Sequence, residues 1–313
     1  GTQGNLFGIT GGEGTGKSNY VAAIVAGCIC PAGADIDTLG IQITANGRHK
    51  AVLLYDTEQS EVQLFKNVSN LLARAKQPDK PDELKAFCLT GMSRKERLNA
   101  IVQSMDKFYY QYGGIQLVVI DGIADLVKSA NDEAESVAVI DELYRLAGIY
   151  NTCILCVLHF VPNGLKLRGH LGSELQRKAA TILSIEKDEE PAQSVVKALK
   201  VRDGSPLDVP LMLFAWDKEA GMHVYKGEKP REEKEKRKER ELVNVARDIF
   251  GRQTRITYID LCEQLQQVLD IKERTAKSYI RFMRERDIIT KDTANQSCFV
   301  IGSYNLRWNT SCP

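Results

Sequence analysis

With 313 residues the chain is long enough for one large domain and one small one. Its 43% hydrophobic and 27% charged residues are the proportions of a soluble globular protein, and no apolar run approaches membrane-spanning length. A formal net charge of +1 excludes nucleic-acid binding by overall charge, so any such contact must come from local patches.

The first apolar run, Leu6-Phe7-Gly8-Ile9-Thr10, predicts a buried strand only a few residues from the N-terminus. With so little ahead of it, the expectation is a chain cut from a longer one that carried an N-terminal domain. Directly after it stands Gly11-Gly12-Glu13-Gly14-Thr15-Gly16-Lys17-Ser18. This fits the phosphate-binding pattern G-x-x-x-x-G-K-[ST]. Tyr20, Val21, Ile24 and Val25 then repeat at helical spacing, so the loop joins a strand to a helix N-terminus. Glycines let backbone N–H groups turn around a polyanion, and the helix end adds unpaired donors. Lys17 supplies a point charge for the β- and γ-phosphates of ATP, and Ser18 a hydroxyl for Mg²⁺.

A turn at Cys30–Gly33 and an Asn46-Gly47 turn signal lead to an apolar strand over Lys50–Tyr55, which runs into Asp56-Thr57-Glu58-Gln59. Glu58 is the candidate base or orienting group for an attacking water, provided its strand neighbours the phosphate-loop strand; the alternative is a solvated loop acid. A helix with Leu64, Phe65, Val68, Leu71 and Leu72 on one face follows, then a short strand around Phe87–Leu89. Ser93-Arg94-Lys95-Glu96 has the form of a capping box and opens a helix that ends at Gly113-Gly114. The strand Ile115–Asp121 ends in an acid, placed to hold Mg²⁺ or its water shell. Otherwise Asp121 only caps the next turn.

After a helix over Ser136–Tyr150, the strand Cys153–Leu158 ends at His159. A histidine there can hydrogen-bond a γ-phosphate, or be an ordinary structural residue. Cys153 and Cys156 form a C-x-x-C inside this strand, where they face opposite ways, so both read as core residues rather than zinc ligands. With no signal peptide visible, reduced thiols in a cytoplasm are the expectation. The loop Val161–Gly172 carries Lys166, Arg168 and His170 and suits a single-stranded phosphate backbone as well as it suits solvent.

Strands near Ala180–Ile185, Val195–Val201 and Leu211–Trp216 complete the first domain, the first two joined by the acidic turn 187–190. Strands alternating with helices predict an α/β fold with a mostly parallel sheet and helices on both faces. Ligands then bind beyond the strands' carboxyl ends, and every polar candidate is expected there. Lys200 and Arg202 share a face at the end of their strand. They reach this subunit's own phosphate poorly, which suggests either an arginine finger acting in trans or a solvated hairpin end.

The sequence thus divides into 1–225, a charged linker over 226–240, and a small domain over 241–313. In the last, helices at Leu242–Ile249, Tyr258–Leu269 (capped by Thr257) and Glu273–Arg286 precede a hairpin, Ile288-Ile289 with Phe299–Ile301. That order is a winged helix, a helix-turn-helix variant. Arg274, Lys277, Arg281 and Arg284 line one stripe of its third helix, opposite Ala276, Ile280 and Met283. The stripe fits duplex DNA, although Glu273, Glu285 and Asp287 dilute it and such modules also bind proteins.

Taken together, Gly11–Ser18, Tyr55–Gln59, Leu117–Asp121, Leu158-His159 and Lys200-Val201-Arg202-Asp203-Gly204 resemble the RecA/DnaB superfamily of motor ATPases. Within it the chain is most similar to plasmid RepA-type hexameric helicases and related mobile-element ATPases, a likeness shared by the run Arg168–Glu174 and covering roughly residues 1–225. The resemblance implies a RecA-like P-loop core and a homo-oligomer, a hexamer in the group. It makes Glu58 the catalytic carboxylate, one strand from Asp121, and His159 the γ-phosphate sensor. The following loop lines a central channel for single-stranded DNA, and Lys200 and Arg202 reach the adjacent subunit's ATP. The expected function is an ATP-driven DNA helicase or translocase for replication or transfer of a mobile element. The alternatives are an ATP-dependent DNA-binding regulator and a loading or strand-exchange factor. No membrane is implied.

Overall fold

A computed structural model describes residues 2–159, 169–188, 192–229, 234–251, 253–293 and 295–303. The chain forms two compact units, Gly1–Pro230 and Arg231–Pro313. In the first, the apolar runs make β1 (Leu6–Gly11), β2 (Ala51–Asp56), β3 (Leu84–Cys88), β4 (Ile115–Asp121) and β5 (Cys153–His159). They continue in β6 (Thr181–Lys187), β7 (Gln193–Val201), β8 (Leu211–Asp217) and β9 (Met222–Lys229). One nine-stranded sheet results, ordered β3-β2-β4-β5-β1-β6-β7-β8-β9. The first six strands in that order are parallel, and β7, β8 and β9 are added antiparallel.

Alternation along the strands feeds two cores. Phe7, Ile9, Val52, Leu54, Leu117 and Val119 pack with helices α1 (Lys17–Ile29) and α2 (Glu61–Arg74) on one face. Leu6, Leu53, Tyr55, Val118 and Ile120 pack on the other with α3 (Arg94–Tyr112), α4 (Glu133–Ile149) and α5 (Gly169–Lys178). Cys153 and Cys156 fall into opposite cores, both as free thiols. The Ser93 box forms, with the Ser93 N–H donating to Glu96 Oε2 at 2.7 Å.

Three expectations need correction. The loop expected over Val161–Gly172 is already helix from Gly169, so His170 is an exposed residue of the first turn of α5. The sheet does not stop at Trp216, because β9 pairs along β8 from Met222 to Lys229. That pairing absorbs the start of the charged stretch 226–240, and α6 (Lys234–Phe250) absorbs its end, so the stretch is not a separate linker.

In the second unit α6, α7 (Tyr258–Leu269) and α8 (Glu273–Glu285) enclose a core of Leu242, Ile249, Leu261, Leu265, Ile280 and Met283. The Thr257 side chain accepts from Asp260 N–H at the start of α7. A three-stranded antiparallel sheet covers the core: β11 (Ile289–Lys291) and β12 (Cys298–Ile301) form the expected hairpin, and β10 (Ile256–Thr257) adds a third strand beside β12. Among the described residues no helix is long and apolar enough to cross a membrane.

Candidate nucleotide site

The loop Gly11–Ser18 turns between β1 and α1 at the carboxyl edge of the parallel strands. Gly16 caps α1 with φ 95°, and a Cβ there would come within 2.8 Å of the Phe214 ring. Only glycine meets both conditions without strain. Lys17 is buried, and its Nζ donates to the carbonyls of Gly11 (3.1 Å) and Gly12 (2.7 Å). Burial lowers its pKa, against the opposing pull of Asp121, Glu58 and Glu13. Thr15 Oγ1 donates to Gly12 O at 3.0 Å, while Glu13, Gly14 and Ser18 are exposed.

Glu58 does not arrive as expected. Its strand, β2, is separated from β1 by both β4 and β5. It approaches through the loop after β2, which is tied down at three points. Buried Asp56 accepts N–H bonds from Glu58 (3.0 Å) and Gln59 (2.8 Å). Thr57 Oγ1 donates to the carbonyls of Asp121 (3.0 Å) and Gly122 (2.8 Å). Gly122, with φ 95°, leaves the room this needs, since a Cβ there would lie 2.6 Å from Glu58 Cγ. Asp56, Thr57 and Gly122 were not among the sequence candidates. The only advance signal was their position, flanking Glu58 and Asp121 at two strand ends.

His159, in register with Gly11 on β5, places Nε2 3.4 Å from Glu58 Oε2. Asp121 lies opposite Asp56 in the β2–β4 register. Burial, with Asp56 and Glu58 close by, pushes its carboxyl up to about 7, and Lys17 partly offsets this. The structure therefore gathers Gly11–Ser18, Glu58, Asp121 and His159 at one sheet edge. Among the described residues no three His, Cys, Asp or Glu side chains are arranged to hold a metal by themselves. Ser18 and Asp121 fit Mg²⁺ as partners of phosphate oxygens, and the metal when bound would neutralise charge on those oxygens.

A family model described as an AAA domain matches residues 2–163, which contain every one of these groups. This chain belongs to the AAA-domain family. No curated protein sequence matches it significantly. Two solved structures share the fold of its AAA domain. A KaiC-like protein from the hyperthermophilic archaeon Pyrococcus horikoshii OT3 aligns with TM-score 0.50 and 13% identity, over 72% of this chain and 90% of that one. The ATPase domain of G40P aligns with TM-score 0.50 and 15% identity, over 72% and 85%. The AAA domain thus has a RecA-like P-loop fold, and its family is that of an ATPase.

Two cationic candidates lie elsewhere. Because β7 runs antiparallel to β6, its end at Val201 pairs with Thr181 at the start of β6, the edge opposite the phosphate loop. The expectation that all polar candidates share the carboxyl edge fails for Lys200 and Arg202. Lys200 Nζ donates to Gln176 O (2.7 Å) and Arg177 O (3.0 Å), and Arg202 donates to Asn5 Oδ1 (2.9 Å) and Lys178 O (3.3 Å). Both thus share the expected face and satisfy the terminal carbonyls of α5, where cations also complement the helix dipole. Lys166 and Arg168 lie outside the described residues. In the second unit Arg274, Lys277, Arg281 and Arg284 are all exposed on α8. Lys277 pairs with Glu273 (2.7 Å) and Arg281 with Glu285 (2.8 Å).

Proposed function

We propose that this ATPase is an oligomeric DNA motor, a helicase or translocase of a mobile element, that hydrolyses ATP with Mg²⁺. Lys17 and the loop amides bind the phosphates, and Ser18 and Asp121 hold the metal. Glu58 orients and deprotonates the attacking water, with its carboxylate positioned through Asp56 and Thr57. His159 reads the γ-phosphate, and its contact with Glu58 supports a link between hydrolysis and the segment that follows.

The observation that carries the motor reading is the place of Lys200 and Arg202, on the sheet edge away from their own phosphate loop. Cations there serve a neighbouring subunit's nucleotide, which requires a homo-oligomer, a hexamer by the family resemblance. Single-stranded DNA in a central channel is the partner this assembly suits. The test is the steady-state ATPase rate against protein concentration, with and without single-stranded DNA, for wild type and Arg202→Ala. The rate per subunit should climb with concentration, rise with DNA, and collapse in the variant. A rate indifferent to all three would overturn the motor.

A second reading has its own support in the exposed cationic stripe of α8. Here the second unit is a winged helix that binds duplex DNA, and the ATPase switches oligomerisation. Slow, unstimulated hydrolysis together with sequence-specific duplex binding favours this regulator.

A further inference from the structure

Because β2 does not adjoin the phosphate-loop strand, the place of Glu58 depends on the loops either side of β2, which lies between β3 and β4. On the β4 side Thr57 N–H donates to Asp121 O at 3.1 Å, and its hydroxyl donates to the carbonyls of Asp121 and Gly122. On the β3 side Leu89 N–H donates to Asp56 O at 2.8 Å, and Cys88 Sγ to Gln59 O at 3.3 Å. The loop carrying Glu58 is therefore gripped from both neighbours, and a shift of either one moves the carboxylate.

One side chain joins those neighbours. Arg97, in the first turn of α3, donates from Nε to Leu89 O (3.0 Å) and from Nη2 to Thr90 O (3.3 Å), both just past β3. Its Nη1 donates to Asp125 O (3.2 Å) and lies 3.6 Å from Asp125 Oδ2. Asp125 belongs to the helical turn Ile123–Leu126 after β4, and its N–H donates to Gly122 O at 3.0 Å. The same Gly122 carbonyl accepts from the Thr57 hydroxyl. The guanidinium thus bridges β2, from the loop after β3 to the loop after β4, and hydrogen bonds through Asp125 and Gly122 lead from it to Thr57. Its side chain is 14% exposed, so little water competes for these carbonyls. A cation in the first turn opposes the helix dipole, so α3 itself gains nothing from that charge. A planar fork can hold separated carbonyls at once, which the point charge of a lysine cannot.

We propose that Arg97 is a positioning residue for hydrolysis, fixing the loops on both sides of β2 and thereby aiming Glu58 at the attacking water. In this role it touches neither nucleotide nor metal. The inference rests on the reading of Glu58 as the group that orients and deprotonates that water. Misplacing a reacting group by about 1 Å costs up to about 10²-fold in rate, while the phosphates are held elsewhere, by Gly11–Ser18.

The full chain is assayed for ATP affinity and for single-turnover hydrolysis. Arg97→Ala should slow hydrolysis about tenfold or more, with ATP affinity within about twofold of wild type. Millimolar guanidinium ion should restore part of the rate. Arg97→Lys keeps the charge and should still be slow, because one ammonium cannot bridge both loops. The deciding comparison is made in Glu58→Gln. With the carboxylate already gone, adding Arg97→Ala should slow hydrolysis by less than about twofold further. Retained ATP binding shows that the variants fold, and Arg97→Lys carries the same comparison should Arg97→Ala lose it. A full additional loss in the double variant, or an Arg97→Ala rate equal to wild type, overturns the positioning role and leaves Glu58 in place. If Glu58→Gln itself hydrolyses at the wild-type rate, the reading of Glu58 falls and that of Arg97 with it.

Discussion

His159 Nε2, at the end of β5, meets Glu58 Oε2, in the loop after β2, at 3.4 Å, although an entire strand, β4, lies between β2 and β5. Each is about one-third exposed, so both reach the same solvent-facing space above the strand ends. A carboxylate held beside an imidazole here can take a proton from water and keep its orientation while doing so. Glu58→Gln preserves shape and removes the proposed base. It should lower kcat by about 10²-fold or more while nucleotide affinity stays within about twofold of wild type. Single-turnover hydrolysis and equilibrium binding separate the two effects, and a variant that hydrolyses normally would remove Glu58 from the chemistry.

Asp121 gives the site a pH signature. Its carboxyl is raised to about 7 in the folded chain, by burial first and then by Asp56 and Glu58, from an ordinary value of 3.8. The folded state therefore holds this proton more tightly than the unfolded state between those values. The contribution of Asp121 to stability is best below pH 4, declines as pH rises to about 7, and is flat above. Asp121→Asn should melt several degrees higher than wild type at pH 8, with the gap closing toward pH 4. The Mg²⁺ role needs the ionised form, so kcat/KM of the wild type should rise through pH 7. The stabilised variant should be inactive with Mg²⁺. Equal melting temperatures at pH 8 would show that Asp121 carries no such strain.

Much of this site was legible in the sequence because one glycine-rich motif forces its own geometry. Gly11–Ser18 can only wrap an anion between a strand and a helix, and the apolar runs ending at Asp121 and His159 marked two more strand ends. Strand order was not legible. Nothing local to Lys50–Glu58 says that β4 and β5 insert between β2 and β1, and Glu58 reaches the site through loop contacts at Thr57 and Gly122 instead. The direction of β7 was implied by its short turn from β6, yet the consequence for Lys200 and Arg202 emerges only from the register. Two elements were hidden by composition. The segment Gly169–Lys178 has two glycines and few apolar residues, and Met222–Lys229 mixes charge with alternation at a sheet edge.

Arg202 has two partners to lose. Within the subunit its guanidinium holds Asn5 and the last carbonyl of α5, so Arg202→Ala should destabilise the chain by about 1 kcal/mol. A trans role adds an effect that stability cannot mimic. Arg202→Ala and Lys17→Ala preparations should each be nearly inactive alone, and mixing them should restore hydrolysis. Mixed interfaces then pair an intact phosphate loop with an intact Arg202. Mixtures that stay inactive while co-assembling would leave Arg202 as a cap of α5 only.

The stripe on α8 makes a graded prediction, because its four cations are not equivalent. Lys277 and Arg281 each hold a carboxylate on their own helix, at 2.7 and 2.8 Å. Arg274 has no such ion pair among the described residues, and Arg284 lies over the Phe299 ring, 5.8 Å from its centroid. A phosphate backbone binding here releases a counterion for each cation it engages. Arg274→Ala and Arg284→Ala should therefore each reduce the salt-dependence slope of duplex binding by about 1. Lys277→Ala and Arg281→Ala should change it less, because each cation is already engaged by a carboxylate on its own helix. By the same logic Glu273→Gln and Glu285→Gln should tighten binding at low salt. Titrations of a fluorescent duplex across a salt series read all six variants, and identical slopes throughout would place the DNA, if it binds, away from α8.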